Sequence, residues 1–266
     1  MHGERAPRPT ALITGGAAGI GAAFARALAA EGYRLILVDR DREGLQAFAA
    51  SLGADTETVT ADLADEADLI RVEERCRAGL DLLVNNAGFG HPTEFLETSA
   101  AAEIAMSRVH VEAVLRLTIA ALPAMIERGS GGIVNTGSVL GFFPSSTYSA
   151  SKAWVINFSQ SAHTKAKPHG VRVTVLCPGF TRTEFHDSAG MNMSMVPAFL
   201  WLDADTLVKA ALRDWRKGKA LSIPGWHSKV ITALSRLLPM RLILRIHAGG
   251  GKGSRAVRAA APGGQR

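Results

Sequence analysis

Short apolar runs rich in Val, Ile and Leu alternate with helix-like segments along most of the chain. This alternation is the pattern of βαβ units, in which successive strands run parallel and right-handed crossovers place helices on both faces. The sequence therefore predicts a single doubly wound α/β domain with a mostly or wholly parallel sheet. The predicted strands are Ala11–Thr14, Leu35–Asp39, Thr56–Thr60, Leu82–Val84, Gly132–Thr136, Arg172–Leu176 and Ala220–Ile223. The predicted helices are Ile20–Ala30, Glu43–Leu52, Glu66–Arg77, Ala100–Glu127, Tyr148–Lys167 and Ala204–Arg216.

With 266 residues, the chain is long enough for one such domain and too short for two ordinary ones. We expect the domain to cover residues 10–225, after a flexible N-terminus at residues 1–9. A basic amphipathic segment is expected at residues 226–247. Residues 248–266 are rich in Gly, Ala and Arg and are expected to form a flexible tail.

The formal net charge of +6 is concentrated at the C-terminal end of the chain. From Trp226 onward there are eight Lys or Arg and no Asp or Glu, whereas the preceding part contains 22 basic and 24 acidic residues. The body of the protein is therefore slightly acidic, and no nucleic-acid partner is predicted.

The two cysteines, Cys76 and Cys177, are far apart in sequence and form no metal or redox motif. A disulfide framework is therefore not expected, and a reducing compartment is the simpler interpretation. Residues Met1–Pro9 contain no apolar signal-peptide core, and no apolar run is expected to be long enough to cross a bilayer as a helix. These features predict a cytoplasmic protein.

A glycine-rich turn, T-G-G-A-A-G-I-G at Thr14–Gly21, follows the first apolar run and opens a helix. Gly15 permits a tight turn, Gly19 lets backbone N–H groups approach a pyrophosphate, and Gly21 allows close packing of helix on strand. Thr14 and Ile20 complete this candidate dinucleotide-binding turn. A plain glycine turn between strand and helix is the alternative.

Asp39 ends the second apolar run, roughly 20 residues after the glycines. A carboxylate there can accept both ribose hydroxyls of an adenosine and repels a 2′-phosphate. Arg40 could attract that phosphate if it turned inward, whereas Ala18 adds no second basic group. NAD is therefore favoured as cofactor and NADP is the alternative. Asp39 could instead be a turn carboxylate that caps the next segment.

The string Asn85-Asn86-Ala87-Gly88 directly follows the predicted strand Leu82–Val84. Small residues at this point let the backbone pass close to a flat ligand. Asn86, Ala87 and Gly88 are therefore candidate cofactor-binding residues, with an ordinary turn as the alternative.

Ser138 follows an apolar strand, and Tyr148-Ser-Ala-Ser-Lys152 opens a helix ten residues later. Tyr148 and Lys152 are four residues apart and share one helix face. Because an ammonium beside a phenol favours the phenolate, Lys152 is expected to lower the pKa of Tyr148 from about 10. Tyr148 could then exchange a proton with a substrate oxygen that Ser138 hydrogen-bonds. An accidental Tyr/Lys pair on a surface helix is the alternative.

In this order and spacing, the motifs resemble the short-chain dehydrogenase/reductase family from about Thr10 to Gly225. The resemblance rests on Thr14–Gly21, Asp39, Asp62, Asn85–Gly88, Ser138, Tyr148, Lys152, Pro178, Gly179 and Thr183. It implies a Rossmann fold and an NAD(P)-dependent oxidoreductase that interconverts a carbonyl and an alcohol by hydride transfer. It also implies that Lys152 holds the nicotinamide ribose, that Asp62 lies near adenine and that Pro178–Thr183 borders the nicotinamide. Such proteins commonly oligomerise, so a homodimer or homotetramer is expected.

Two features depart from the family pattern. The family usually has an Asn at the position of His110, in the long central helix, where it helps hold a water that links the lysine to solvent. A histidine there could preserve this relay in altered form, since it titrates near neutrality, or could be a tolerated helix residue. The segment from Ser138 to Tyr148 is also about three residues shorter than is common, so a reshaped pocket mouth is expected.

Residues 181–203 correspond to the region that forms a substrate lid in the family. This stretch and the shortened loop contain Phe142, Phe143, Phe185, Met191, Met193, Met195, Phe199, Leu200 and Trp201. Flexible Met side chains suit an adaptable apolar pocket, so an apolar small-molecule substrate is expected. Simple packing of the lid on the body is the alternative.

The segment from Trp226 to His247 combines apolar residues with Lys229, Arg236, Arg241 and Arg245. Pro239 is expected to divide it into two short amphipathic pieces. Their apolar face could pack on the body or on a second subunit, which is the favoured interpretation, or could lie on an anionic membrane surface.

Two other classes of protein remain as alternatives to an oxidoreductase. One is a nucleotide-binding regulator that has kept the fold and lost turnover, for which His110 is the one supporting feature. The other is a methyltransferase, which also uses a glycine turn and an acid after the second strand but has no purpose for the Tyr–Lys pair.

Overall fold

The computed structural model describes residues 8–93, 95–183, 197, 200–241 and 244. In this part of the chain a seven-stranded sheet has the order β3-β2-β1-β4-β5-β6-β9, and every neighbouring pair is parallel. Its strands are β1 (Thr10–Thr14), β2 (Arg34–Asp39), β3 (Thr56–Thr60), β4 (Leu82–Asn85), β5 (Gly132–Thr136), β6 (Arg172–Leu176) and β9 (Leu221–Ser222). The predicted doubly wound parallel sheet is confirmed.

The helices are α1 (Gly19–Ala30), α2 (Arg42–Ser51), α3 (Glu66–Arg77), α4 (Ala100–Ser107), α5 (Ala113–Arg128), α6 (Thr147–Ala166), α7 (Ala204–Arg216) and α8 (Trp226–Leu237). Short 3-10 turns occur at Val139–Phe142 and Lys167–His169. A small parallel pair, β7 (Thr181–Arg182) and β8 (Leu202–Asp203), lies outside the main sheet and was not predicted.

Two apolar cores lie on opposite faces of the sheet. Successive side chains of a strand point to opposite faces, so Leu12 of β1 belongs to one core while Ala11 and Ile13 belong to the other. Helices α3, α5 and α6 cover the Leu12 face, and α1, α2 and α7 cover the opposite face. This arrangement leaves the carboxyl ends of the strands as the edge where loops meet.

The long central helix predicted over Ala100–Glu127 is interrupted. Between α4 and α5 the residues Arg108–Glu112 form a π-helical turn. Such turns are uncommon and often occur at functional sites. A hydrophobic pattern does not distinguish a π turn from an α turn, so the sequence could not indicate the interruption.

One helix of the described residues is long and apolar enough to cross a bilayer, judged by length and composition alone. The expectation that no apolar run could do so is therefore wrong. The helical stretch Ala100–Arg128 has 29 residues and a mean hydropathy of 1.6 over its most apolar window. Half of that window is buried within the protein, where Leu117, Ala121 and Met125 join the core beneath α3. Burial in the core therefore accounts for the apolar residues on the inner side of this helix.

Candidate active site

A cavity of about 470 Å³ lies at the carboxyl ends of the strands. It is next to β1 and β4, where the strand order reverses, which is where open α/β sheets bind ligands. The predicted site residues in its lining are Gly15, Gly19, Ile20, Asp39, Arg40, Asp62, Asn86, Ala87, Gly88, Ser138, Tyr148, Lys152, Pro178, Gly179 and Thr183. Thr14, Gly21 and His110 are not among the lining residues.

The glycine turn is held against the end of β4. Gly15 has a φ of 63°, and a Cβ added to it would lie 2.9 Å from Ala87 Cα. A Cβ on Gly21 would collide with the carbonyl oxygen of Gly15. Thr14 Oγ1 accepts hydrogen bonds from the backbone N–H groups of Asn86, at 3.0 Å, and Ala87, at 3.1 Å. Thr14 and Gly21 therefore shape the cavity wall from behind.

The N-terminus of α1 is open towards the cavity. Its N-cap residue, Ala18, makes no side-chain capping bond, and the first turn contains no acidic residue. Gly19 has a φ of 54° and lies against Thr183. Because the first backbone N–H groups of a helix have no partner within it, this end suits the pyrophosphate of a dinucleotide. The residues present here therefore fit such a cofactor.

The Asp39 carboxylate is fixed at the cavity wall by two backbone groups. Its Oδ2 accepts a hydrogen bond from Ala17 N at 3.1 Å, and its Oδ1 accepts one from Asp41 N at 3.2 Å. The helix that follows is capped by Asp41, whose side chain accepts a bond from Gly44 N. Asp39 is thus not the cap of α2, and its remaining lone pairs are available to a ligand.

Arg40 lies over Phe89, a lining residue that the sequence analysis missed. The Arg40 guanidinium carbon is 5.7 Å from the Phe89 ring centroid, within the range of a cation–π contact. Both residues line the cavity beside Asp62. The position of Phe89 directly after Gly88 is the signal that could have indicated its role.

Ser138, Tyr148 and Lys152 converge on the cavity from two elements. Ser138 follows β5, and its hydroxyl is hydrogen-bonded to Tyr148. The Lys152 Nζ donates to the carbonyl oxygen of Thr136 at 3.0 Å and lies 5.6 Å from the Tyr148 ring centroid. A capping box that begins at Ser146 fixes the start of α6, so Tyr148 and Lys152 occupy its first turns.

The protonation of this group differs from the sequence-based expectation. Burial raises the pKa of Tyr148 to about 12, although the hydrogen bond from Ser138 acts in the opposite direction. Burial also lowers the pKa of Lys152 to about 8. The prediction that Lys152 lowers the pKa of Tyr148 is wrong for this arrangement. Loss of solvation is the largest influence on the pKa of Tyr148, and the Lys152 ammonium is bound to Thr136 rather than to the phenol.

His110 is fully buried in the π turn, behind the cavity. Its Nε2 accepts a hydrogen bond from Phe89 N at 3.1 Å, so its proton is on Nδ1, which donates to Ser151 Oγ at 2.9 Å. Ser151 Oγ in turn donates to the carbonyl oxygen of Tyr148 at 2.8 Å. The ring therefore joins the loop after β4 to the start of α6.

The hypothesis that His110 titrates near neutrality is wrong. Burial, followed by the charge of Lys152, lowers the pKa of His110 well below 6.5. The ring stays neutral at physiological pH, and both of its nitrogens are occupied. His110 is therefore a positioning residue in this arrangement and not a proton carrier.

The shortened loop contributes aliphatic rather than aromatic side chains to the cavity. Val139 and Leu140 line it, whereas Phe142 packs beside Ile156, and neither Phe142 nor Phe143 is among the lining residues. Of the expected lid residues, Trp201 packs against the lining residue Phe180, with ring centroids 5.9 Å apart. Leu200 is also among the described residues. The remaining expected lid residues lie outside them: Phe185, Met191, Met193, Met195 and Phe199.

Comparisons with known proteins agree with this geometry. A family model described as short chain dehydrogenase matches residues 9–193. A very-long-chain 3-oxoacyl-CoA reductase of Phaeosphaeria nodorum is 34% identical over 267 residues, which cover 91% of this chain and 76% of that protein.

Two solved structures extend the similarity over nearly the whole chain. A short-chain dehydrogenase from Sphingobium yanoikuyae, in complex with NADPH, is 33% identical with a TM-score of 0.79, covering 97% of this chain and 98% of that one. A bulky-bulky ketone specific alcohol dehydrogenase from Comamonas testosteroni is 28% identical with a TM-score of 0.74, covering 97% and 96%.

Proposed function

Because this chain belongs to the short-chain dehydrogenase/reductase family, whose members are NAD(P)-dependent oxidoreductases, we propose which residues perform the reaction and on what substrate. The reaction interconverts a carbonyl and an alcohol. A cofactor bound in the cavity would supply or accept the hydride. The proposal is supported by one observation above all: Ser138 and Tyr148 are hydrogen-bonded to each other in the same cavity as the glycine turn and Asp39.

We assign the proton transfer to Tyr148. In the reductive direction its hydroxyl gives a proton to the carbonyl oxygen as the hydride reaches the carbonyl carbon, and in the oxidative direction the proton returns. The high pKa of Tyr148, about 12, keeps that proton available at neutral pH. Ser138 hydrogen-bonds the same substrate oxygen and stabilises its changing charge.

We assign Lys152 and the glycine turn to the cofactor. Lys152 lies one turn after Tyr148 in the cavity wall, where it can hold the nicotinamide ribose. The open N-terminus of α1 takes the pyrophosphate, Asp39 takes the adenosine ribose, and Pro178–Thr183 borders the nicotinamide. The glycine turn, Asn86–Gly88 and Asp62 complete the site.

We propose NAD(H) as the preferred cofactor, because a fixed carboxylate at Asp39 repels a 2′-phosphate. Asp39→Ala is expected to weaken NADH binding about tenfold and to move the preference towards NADPH, since one hydrogen-bonded charge is worth roughly 1.4 kcal/mol or more. Isothermal calorimetry with both cofactors measures the change. Asp41→Ala is the matched control, because it removes a carboxylate that caps α2 and is not among the lining residues. A tenfold preference of the unaltered protein for NADPH would show that Arg40 decides the choice.

The substrate is proposed to be an apolar carbonyl compound or the corresponding alcohol. The cavity walls that remain beyond the proposed cofactor site include Val139, Leu140, Phe180 and Ile231. The relatives named for very-long-chain 3-oxoacyl-CoA and for bulky ketones support the same class.

The assembly and location are proposed from separate observations. A homodimer or homotetramer is supported by the exposed side chains of Ile104 and Ile119 on the long central helix. A cytoplasmic location is supported by Cys76 and Cys177, which are both buried and not in disulfides. Residues 10–225 are proposed as the catalytic domain.

The function is tested by following NADH and NADPH oxidation by the purified protein with apolar ketones, aldehydes and 3-oxoacyl thioesters. We expect turnover of at least one of these classes. Cofactor binding by calorimetry without turnover of any of them would favour the nucleotide-binding regulator instead.

A further inference from the structure

Helix α8 has its polar side against the protein and its apolar side in solvent. The buried side chains Ser228, Thr232 and Ser235 follow the spacing of a single helix face. The opposite side exposes large apolar residues, with Trp226 at 68% and Leu237 at 79% of their full exposure. This docking face consists of Trp226, Val230, Ile231, Leu234 and Leu237.

The inverted orientation is fixed by the inner face. Thr232 Oγ1 donates to the carbonyl oxygen of Ser228 at 2.7 Å, and Ser235 Oγ donates to that of Thr232 at 2.8 Å, so two of the buried hydroxyls are satisfied within the helix. Ser228 Oγ lies directly against Gly179, where an added Cβ would collide with it. A large apolar side chain could not replace Ser228 at this approach, so the helix cannot turn its docking face inward without moving away from the body.

This geometry excludes one of the three surfaces that the sequence analysis offered as a cover for the apolar side of α8. Among the described residues, the body contacts the hydroxyl side of α8 and does not cover its apolar side. Exposed apolar residues continue beyond the helix at Leu238, Met240 and Leu244. A contiguous apolar surface of this kind normally marks a contact with a partner or a membrane.

The docking face is continuous with the entrance of the catalytic cavity. Ile231 lines the cavity and is also 39% exposed. Leu140 of the shortened loop likewise lines the cavity and has an exposed side chain. Ser228 lines the cavity from the inner face of the helix. An apolar molecule that leaves a surface covering α8 would therefore meet the cavity mouth directly.

Charge distinguishes the two remaining occupants, a second copy of this chain and a lipid surface. The sequence from Trp226 to Arg266 has eight Lys or Arg and no acidic residue, and Lys229 and Arg241 are exposed along it. A two-fold contact through this face would bring the same basic segment of both copies together, which is unfavourable. In an anionic bilayer the leucines can insert among the acyl chains, and the basic residues can bind the negatively charged headgroups.

We propose that α8 is a lipid-docking helix that lies in the surface of an anionic bilayer with the cavity mouth turned towards the lipid. Its docking face enters the boundary between headgroups and acyl chains, while the basic residues bind the headgroups. The delivery of apolar substrate from the bilayer rests on the proposed function; the lipid contact itself does not.

The test is sedimentation of the full-length protein with vesicles of phosphatidylcholine alone or of phosphatidylcholine and phosphatidylglycerol, at about 0.15 M salt. We expect binding to the anionic vesicles that weakens at high salt. Leu234→Asn combined with Leu237→Asn keeps every charge and is expected to raise the lipid concentration for half-binding about tenfold or more. Ile70→Asn, which alters an exposed apolar residue on α3 to which no contact is assigned, is the matched control.

The binding measurement is repeated on Tyr148→Phe, so that failure of the lipid contact and failure of the catalytic assignment are distinguished. No binding of the full-length protein to anionic vesicles would overturn the proposal, as would unchanged binding by the double variant. Analytical ultracentrifugation gives the competing outcome. If the double variant lowers the oligomeric state of the protein without lipid, the docking face is a subunit interface and the proposal is wrong.

Discussion

Replacement of Tyr148 by Phe should reduce the turnover number by about two to four decades. The substitution keeps the aromatic ring and removes only the hydroxyl, which is hydrogen-bonded to Ser138 in the cavity. Without that hydroxyl the proposed donor of the proton that accompanies the hydride is lost. The change is measured as kcat with the best substrate from the carbonyl screen, together with the dissociation constant of the cofactor.

The second tyrosine of the chain provides the control. Tyr33 is not among the residues that line the cavity, so Tyr33→Phe should leave kcat close to its original value. Cofactor affinity should stay within about threefold in both variants, because the aromatic ring is retained. Activity of Tyr148→Phe within tenfold of the unaltered enzyme would refute the assignment of Tyr148 as the proton donor.

Replacement of Lys152 by Met should change how stability depends on pH. The pKa of Lys152 is about 8 in the folded protein and 10.5 for an ordinary lysine. Between these values the unfolded chain binds the proton and the folded chain does not, so this lysine makes unfolding less favourable as the pH rises. From about pH 7 to about pH 10, the free energy of unfolding of the unaltered protein should increase by about 2 kcal/mol relative to Lys152→Met.

Urea unfolding of both proteins at several pH values measures this difference. Other titrating groups are common to the two proteins and largely cancel in the comparison. Lys165→Met removes an exposed ammonium from the same helix and is the matched control. A difference between Lys152→Met and the unaltered protein that stays constant across this pH range would contradict a lowered pKa for the buried ammonium.

The parallel sheet could be predicted because each strand is a local apolar run bounded by turn residues. The predicted bounds of Thr56–Thr60, Gly132–Thr136 and Arg172–Leu176 agree with the structure residue for residue. The placement of Tyr148 and Lys152 on one side of α6 was also predictable, since it depends only on helical spacing.

Properties that depend on distant neighbours could not be predicted. The neutral state of His110 follows from burial and from contacts with Phe89 and Ser151, which are 21 and 41 residues away in sequence. The raised pKa of Tyr148 likewise reflects enclosure by several elements. For α8, the sequence indicates an amphipathic segment, but only the close approach of Gly179 decides which side faces the protein.

The π turn at Arg108–Glu112 determines how the chain tolerates a change of length at this point. A π turn contains one residue more than the α-helical turn it replaces. Deletion of one residue here would allow α4 and α5 to join as a regular helix whose faces on either side keep their register, but the residues of the turn itself would change direction. His110 would then leave its place between Phe89 and Ser151. A shorter chain would therefore gain a more regular helix and lose the connection that fixes the loop after β4 to the catalytic helix.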